Sequence, residues 1–183
     1  QDADTVYHLA AEPRIQATID MPSKAFYSNC LATQHVLDAV RHLETPRLVF
    51  SSTSSVYGNV GGATAAAHGA GSKASYKSVE SDKRQYLNPY ALSKGTSEDW
   101  CYMYSQMYGV DVVVLRYFNV YGGSKDATSP DAMVVGKFLN QAKLGKALTV
   151  YGDGKQTRDF TFISDIIAGT VSAGNIANKE AAG

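Results

Sequence analysis

Residues 88–116 read Asn-Pro-Tyr-Ala-Leu-Ser-Lys-Gly-Thr-Ser-Glu-Asp-Trp-Cys-Tyr-Met-Tyr-Ser-Gln-Met-Tyr-Gly-Val-Asp-Val-Val-Val-Leu-Arg. Asn88-Pro89 opens a helix, whose spacing runs to about Tyr108 with Trp100, Met103 and Met107 on one face. Gly109 stops it as a C-terminal cap. Val110 to Arg116 is the strongest strand of the chain. Its Val112-Val-Val-Leu115 run is continuously apolar, as expected of a strand buried on both faces. A helix that hands over directly to a buried strand is one step of an α/β fold.

The same alternation extends in both directions. Upstream, Val6 to Leu9 is a short strand and residues 22–43 have helical spacing. Pro22 suits the first turn of that helix, and Phe26, Cys30, Thr33, Leu37 and Val40 share one face. Arg47 to Ser51 is a second strand. Residues 59–79 are rich in Gly, Ala and Ser and read as a surface loop. Downstream, a helix is expected over about 132–144, using Val135, Phe138, Leu139 and Ala142. Short strands are expected at 148–151 and 159–163. Ser164 or Asp165 would cap a last helix through Ile176. Strands alternating with helices imply a doubly wound parallel sheet with helices on both faces. Ligands of such sheets bind beyond the carboxyl ends of the strands, here His8–Ala11, Ser51–Ser55 and Tyr117–Asn119.

Composition narrows the function. The 183 residues are 44% hydrophobic and 19% charged, enough to bury a core. Lys and Arg number 17, as do Asp and Glu, so the chain is formally neutral. That argues against sequence-independent nucleic-acid binding and against a polybasic membrane anchor. No apolar run approaches the ~20 residues of a membrane-spanning helix. No signal peptide opens the chain, and a cytoplasmic location is expected. Cys30 and Cys101 read as two reduced thiols. None of His8, His35, His42 and His68 stands at a metal-binding spacing, so no metal site is expected. The chain starts Gln1-Asp-Ala-Asp4 and stops at Glu180-Ala-Ala-Gly183. It is expected to be an internal segment of something longer.

Four stretches carry chemistry. In Pro89-Tyr90-Ala-Leu-Ser-Lys94, Tyr90 and Lys94 are i and i+4 on one helix face. At ~4 Å and an effective dielectric of ~20, an ammonium attracts a phenolate by about 4 kcal/mol, which could move a tyrosine from ~10 towards ~7. There it can act as a base. Taken alone, Tyr-x-x-x-Lys also arises by chance in a chain with 12 Tyr. In Leu48 to Gly58, a strand ends in the hydroxyl run Ser51-Ser-Thr-Ser-Ser55, which can bind a substrate oxygen or relay a proton. The competing reading is a capping or turn-forming cluster. The third stretch is Leu115-Arg-Tyr-Phe-Asn-Val-Tyr-Gly122. The fourth is Tyr151-Gly-Asp-Gly-Lys-Gln-Thr-Arg-Asp-Phe-Thr-Phe-Ile163, where Arg158 offers a fork suited to phosphate or, alternatively, an ion pair with Asp153 or Asp159.

With all four in order, the chain from Thr5 to about Ile176 resembles the extended short-chain dehydrogenase/reductases of the nucleotide-sugar epimerase/dehydratase family. The resemblance implies a partial Rossmann-like sheet over residues 1–125, with part of a small nucleotide-sugar-binding region over 126–183. It implies NAD as cofactor and a nucleotide-diphosphate sugar as substrate. The family's catalytic Ser/Thr, Tyr and Lys match Thr53, Tyr90 and Lys94. Lys94 would also bond the nicotinamide ribose. Leu9, Ala10 and Ala11 match the strand end that lies along the dinucleotide, with Ser51 and Ser52 at the next strand end. Asn29 matches an asparagine near the cofactor, and Phe118 the residue against the nicotinamide. Asn119 and Arg158 match the groups that hold the sugar diphosphate. Arg116, Asp159 and Asp165 read as structural groups. Members usually dimerise through the helices matching 22–43 and 90–108, so a homodimer is expected.

The hydroxyl run also bears on the reaction. Family 4,6-dehydratases carry Thr-Asp-Glu where this chain has Thr53-Ser54-Ser55, and the decarboxylases place a Glu at the position of Ser55. A serine cannot replace those carboxylates as an acid or base at neutral pH. The 4-epimerases need no extra carboxylate, so C4 epimerisation through a 4-keto sugar is expected. A dehydratase or ketoreductase of the same family is the alternative, as is a non-catalytic nucleotide-sugar-binding protein. The family's Gly-x-x-Gly-x-x-Gly loop does not occur. Gly58-Asn-Val-Gly61 lacks the third glycine and Gly69-Ala-Gly71 follows no strand. The first βαβαβ half, about 60–70 residues, is therefore expected to be absent. With it goes the residue that would tell NAD from NADP. The chain alone is expected to bind NAD weakly.

Overall fold

The computed structural model describes residues 3–43, 47–58, 77–122, 133–154 and 157–175. The loop expected at 59–79 lies outside the described residues up to 76; residues 77–79 have no regular structure. Two compact units divide the chain, and each is described by itself.

The first unit runs through Arg116 and takes back the last helix from Ala173. Strand β1 (Thr5–His8) pairs in parallel with β2 (Arg47–Thr53), with Thr5 opposite Arg47 and His8 opposite Phe50. Strand β3 (Val112–Tyr117) lies on the other side of β2, giving the order β1-β2-β3. The central strand is the buried one. Leu48, Val49 and Phe50 are at most 1% exposed. Leu48 and Phe50 pack with Leu37, Val40, Cys101, Tyr104 and Val110. Each large side chain so buried is worth about 1.5–3 kcal/mol. Strand β3 is half-buried along its whole length, not buried on both faces as its apolar run suggested. It has β2 on one side only in the described sheet, so apolar composition overstated its burial.

The expected helix at 22–43 is several pieces. A short helix α1 (Ile15–Asp20) precedes it, then α2 (Pro22–Ala25), a π-helical turn (Phe26–Leu31) and α3 (Ala32–His42). The wider π-turn slips the helical phase. Cys30, Thr33, Leu37 and Val40 are buried as expected, but Phe26 is 54% exposed and Ala25 takes its place inside.

Helix α4 (Pro89–Tyr108) begins and ends as its sequence requires. The Asn88 side chain accepts the Ala91 N–H at 2.9 Å. Gly109, at φ 70°, donates back to Ser105. The buried face differs from expectation. It carries Ala91, Ser93, Lys94, Gly95, Ser97, Glu98, Cys101 and Tyr104, while Met107 is 70% exposed and Trp100 37%. Small residues let this helix sit close to its neighbours. A Cβ on Gly95 would fall 2.3 Å from the Tyr86 ring.

In the second unit, β4 (Asn119–Tyr121) pairs in parallel with β5 (Phe160–Phe162), Asn119 opposite Phe160. Helix α5 (Val134–Lys143) half-buries Val135 and Phe138 but leaves Leu139 and Ala142 exposed. No strand forms at 148–151. Gln141 takes the backbone group a ladder would need: its Oε1 accepts the Thr149 N–H at 3.1 Å and its Nε2 donates to Thr149 Oγ1 at 2.8 Å. Helix α6 (Ile163–Asn175) starts directly at the end of β5. Ser164 and Asp165 therefore lie inside its first turn rather than ahead of it.

Candidate active site

Parallel pairing points the carboxyl ends of β1 and β2 the same way, and the candidate residues of the first unit collect there. Beyond β1, Leu9 and Ala10 are exposed and Ala11 is half-buried. At the end of β2, Ser51 is half-buried, while Ser52 and Thr53 are buried. A single turn of 3₁₀ helix (Ser54–Tyr57) follows, and Thr53 caps it. Thr53 Oγ1 accepts the Ser55 N–H and donates to Ser55 Oγ, both at 3.2 Å.

Helix α4 presents Tyr90 and Lys94 to this strand end. Tyr90 shares a side-chain hydrogen bond with Thr53. Lys94 is 3% exposed; its Nζ donates to the Ser51 carbonyl at 2.7 Å and lies 4.8 Å from the Phe50 ring centroid. The expected depression of the Tyr90 pKa by Lys94 is absent. Burial pushes Tyr90 above its ordinary value, and the Thr53 hydrogen bond opposes that rise. The ammonium is turned to a backbone carbonyl, and burial lowers Lys94 itself to about 8, with its coupling to Cys101, Cys30 and Glu98 opposing the fall. The pair is brought together, but it does not form a phenolate–ammonium couple in this state.

Asn29 is 1% exposed and its side chain is committed to protein. Oδ1 accepts the Glu12 N–H at 2.7 Å, and Nδ2 donates to Ser93 Oγ at 2.8 Å. Its carbonyl, at the π-turn, accepts from Thr33 at 2.6 Å and from Ser97 at 3.3 Å. Asn29 thus ties the segment after β1 to α4, one residue away from Lys94. In the second unit Asn119 opens β4, and Arg158 lies two residues ahead of β5. Asn119 donates to the Asp159 carbonyl from both its N–H (3.2 Å) and its Nδ2 (3.0 Å). The exposed Arg158 donates to the Thr157 carbonyl at 2.7 Å. Phe118, half-buried, joins β3 to β4.

Sequence reading missed a polar cluster behind the strand end. Glu98, one turn beyond Lys94 and 6% exposed, accepts from Ser52 Oγ. It also accepts from Arg116 Nη2 at 2.7 Å and Nε at 3.0 Å. Arg84 approaches it at 3.5 Å and donates to the Gly95 carbonyl at 3.0 Å. Arg116, read as a structural group, spends its guanidinium on Glu98. The signal available in sequence was the continued spacing Tyr90, Lys94, Glu98. Glu12, also buried, pairs with Arg14 and Lys24 at 2.9 and 3.1 Å. Hydrogen bonds from those two groups hold it down to about 2.

A parallel sheet with Thr, Tyr and Lys gathered at its strand ends defines a Rossmann-like α/β protein of the short-chain dehydrogenase/reductase type. Residues 1–181 match the NAD dependent epimerase/dehydratase family, and the chain belongs to it. An uncharacterized UDP-glucose epimerase of Bacillus subtilis is 35% identical, over 92% of this chain and 48% of its own length. A UDP-N-acetyl-alpha-D-glucosaminuronate decarboxylase of Bacillus cytotoxicus is 34% identical, over 93% and 50%. A mutant UDP-glucuronic acid 4-epimerase from Bacillus cereus was solved with UDP-4-deoxy-4-fluoro-glucuronic acid and NAD. It superposes with a TM-score of 0.79 at 36% identity, over 94% of this chain and 50% of that one. The chain spans about half the length of the curated relatives it matches.

Proposed function

We propose that the full-length protein epimerises a nucleotide sugar at C4 through a transient 4-keto sugar, with NAD as cofactor. The observation that carries this reading is the meeting of Thr53, Tyr90 and Lys94 at a strand end whose next residues are Ser54 and Ser55, not carboxylates. Among the described residues the two buried carboxylates of the first unit offer no substitute, because Glu98 and Glu12 are each engaged by two cations.

The donors present fit the nicotinamide-ribose end of the dinucleotide. An ammonium carries three N–H donors, and the Ser51 carbonyl takes one of those on Lys94. The small Ala10, exposed beyond β1, leaves the backbone there approachable. The 183 residues hold no Gly-x-x-Gly-x-x-Gly loop for the pyrophosphate. When bound, the cofactor supplies a hydride acceptor and donor at the sugar carbon. For the reaction Tyr90 must first lose its own proton; as phenolate it then takes the proton from the sugar 4-hydroxyl while hydride leaves C4, and it returns that proton when hydride comes back. Thr53 bonds the same oxygen and holds the Tyr90 hydroxyl in line. Lys94 places positive charge beside the strand end and bonds the ribose. Ser51, Ser52, Leu9, Ala10, Ala11 and Phe118 shape the cofactor side, Asn29 braces it, and Asn119 with Arg158 hold the diphosphate.

A decarboxylase is the second reading, favoured by the Bacillus cytotoxicus relative. The absence of a carboxylate at Ser55 opposes it. Exposed Tyr102, Met107 and Trp100 on α4 suit burial in a homodimer. The buried free thiols suit a reducing cytoplasm. Among the described residues no helix is long and apolar enough to cross a membrane.

Proton NMR of the full-length protein with NAD and a panel of UDP-hexoses and UDP-uronic acids tests the proposal. Interconversion of C4 epimers is expected. A 4-keto-6-deoxy sugar, or a pentose formed with loss of carbon dioxide, would overturn it.

A further inference from the structure

The catalytic assignment leaves the buried carboxylate of this helix unused. Glu98 stands one turn beyond Lys94 on the same face of α4, and its two oxygens engage three elements. Oε1 takes the hydroxyl of Ser52 in β2. Both oxygens take the guanidinium of Arg116 in β3. Oε2 faces Arg84, from the segment ahead of α4. Arg116 in turn lies 4.8 Å from the centroid of the Tyr57 ring, in the turn that follows β2. Ser52 is the residue between the carbonyl that receives Lys94 and the hydroxyl that bonds Tyr90. It is 3% exposed, and its side chain points away from both into Glu98.

We propose, on the footing of the epimerase reading, that Glu98 is a positioning residue for the reaction: by gripping Ser52 and Arg116 it fixes the strand end carrying the Ser51 carbonyl and Thr53 against Lys94 and Tyr90 of its own helix. A hydroxyl-to-carboxylate bond and a forked arginine–carboxylate bond are the strong, directional kind. Two such bonds on one side chain set the spacing between β2, β3 and α4 at the place where the reacting groups meet. A displacement of about 1 Å there costs on the order of 100-fold in rate.

Glu98 also has an electrostatic role that packing alone does not supply. The groups facing Lys94 are His8 from β1, the Ser51 carbonyl and Phe50 ring from β2, Cys30 from the π-turn, and Cys101 and Glu98 from α4. Burial raises the Cys101 thiol to about 12 and also raises Cys30, so both are neutral at ordinary pH. Burial, with the charge of Lys94, lowers His8, which is then neutral as well. Glu98 is left as the negative charge in this set. Removing it takes the carboxylate from Arg116, while Arg84 keeps Asp99, and the charge so freed acts on Lys94 in the same direction: its ammonium becomes easier to deprotonate.

The test compares Glu98→Gln, Ser52→Ala and the double variant in the full-length protein, with circular dichroism and Tm to verify folding. In Glu98→Gln, kcat falls about 10–100-fold while KM for the nucleotide sugar moves less than about threefold. The alkaline limb of the kcat profile shifts to lower pH. Ser52→Ala lowers kcat by a smaller factor and leaves that limb in place. The double variant loses no more than Glu98→Gln, because both cut one link. A folded Glu98→Gln protein with unchanged kcat, or with lower kcat and an unmoved alkaline limb, would overturn the proposal. If Glu98→Gln does not fold, Ser52→Ala decides by the same criterion of kcat without KM. Titration of the Lys94 side chain by NMR separates this idea from the epimerase reading. If the wild-type protein turns over no nucleotide sugar, that reading fails. A lower Lys94 midpoint in Glu98→Gln would still support the grip, and an unmoved one would refute it.

Discussion

The ammonium of Lys94 donates to the carbonyl of Ser51 at 2.7 Å, not to Tyr90, which stands one turn earlier on the same helix face. Spacing along α4 brings the tyrosine and the lysine to one place. Tertiary structure then decides what the lysine touches, and a backbone C=O near a parallel strand end is a strong acceptor. Lys94 thereby ties α4 to β2, with Glu98 making a second tie one residue along the strand. Thr53, which bonds Tyr90, follows directly after the two ties.

Lys94 pH dependence follows from its burial. Its folded value of about 8 lies below the ordinary 10.5, so the folded state releases this proton more readily than the unfolded chain does. Between those two values the unfolded state binds more protons, and stability from this group rises with pH. Below about 8 both states are protonated, and the buried charge costs its full penalty. The Tm of wild type minus that of Lys94→Met should therefore increase from pH 8 to pH 10.5, by the equivalent of about 3 kcal/mol. Thermal unfolding in matched buffers measures it. A flat difference across that window would show that Lys94 is not held at a lowered pKa.

Tyr90→Phe should keep the fold and abolish most of the chemistry. The substitution removes only a hydroxyl that bonds Thr53. General-base groups contribute about 10²–10⁴-fold to rate. In the full-length protein kcat should fall in that range, while binding of the nucleotide sugar by calorimetry changes little. Thr53→Ala should cost less, because it leaves the base in place. Retention of most of the turnover by Tyr90→Phe would remove Tyr90 from the proposed mechanism.

How far these elements were legible depends on which rule governed each residue. Strand β2 and the two ends of α4 follow local chemistry: an apolar run, an Asn-Pro start and a glycine stop. They fall where the sequence places them. The face of α4 was misread because hydrophobicity ranks Trp100 and Met107 as core, whereas the buried face is made of small and functional residues. Phe26 was placed inside because a constant helical period was assumed, and the π-turn breaks it. In the second unit, Val150 and Tyr151 suggested a strand, but Gln141 binds the Thr149 backbone from across the loop. That Thr53, Tyr90 and Lys94 come together was readable from motif and strand-end position. Glu98 was not, since its partners Ser52, Arg84 and Arg116 are distant in sequence and meet only through the sheet.

Gly95 lies between Lys94 and Glu98 in number but faces Tyr86. An added methyl would sit 2.3 Å from both Cε1 and Oη of that ring, far inside contact distance. Tyr86 is half-buried, so its ring has limited room to swing aside. Gly95→Ala should destabilise by about 1–3 kcal/mol, the range for forcing an extra methyl into a packed site. The carbonyl of Gly95 that Arg84 uses would be carried along. Combining Gly95→Ala with Tyr86→Ala should recover much of the loss, because the clash has one partner. Urea denaturation of the single and double variants measures it, and a Gly95→Ala protein as stable as wild type would contradict this packing.

Arg47 opens β2 and is almost wholly buried, with 5% of its side chain exposed. Its Nη2 lies 2.6 Å from Asp111 Oδ2, and its Nη1 donates at 2.9 Å to the carbonyl of Ala173, near the C-terminus of α6. A helix C-terminus carries partial negative charge, so this cation is favourably placed by both partners. Removing the carboxylate alone leaves a buried guanidinium with only part of its compensation, and breaking such a pair costs about 3–5 kcal/mol. Removing both charges frees the site of the desolvation penalty altogether. Asp111→Ala should therefore be more destabilising than the double variant Arg47→Met/Asp111→Ala, in which an apolar chain of similar length fills the space. Equilibrium unfolding of the two proteins decides the order. If the double variant is the less stable, the pair contributes net stability and the arginine is held by more than its charge.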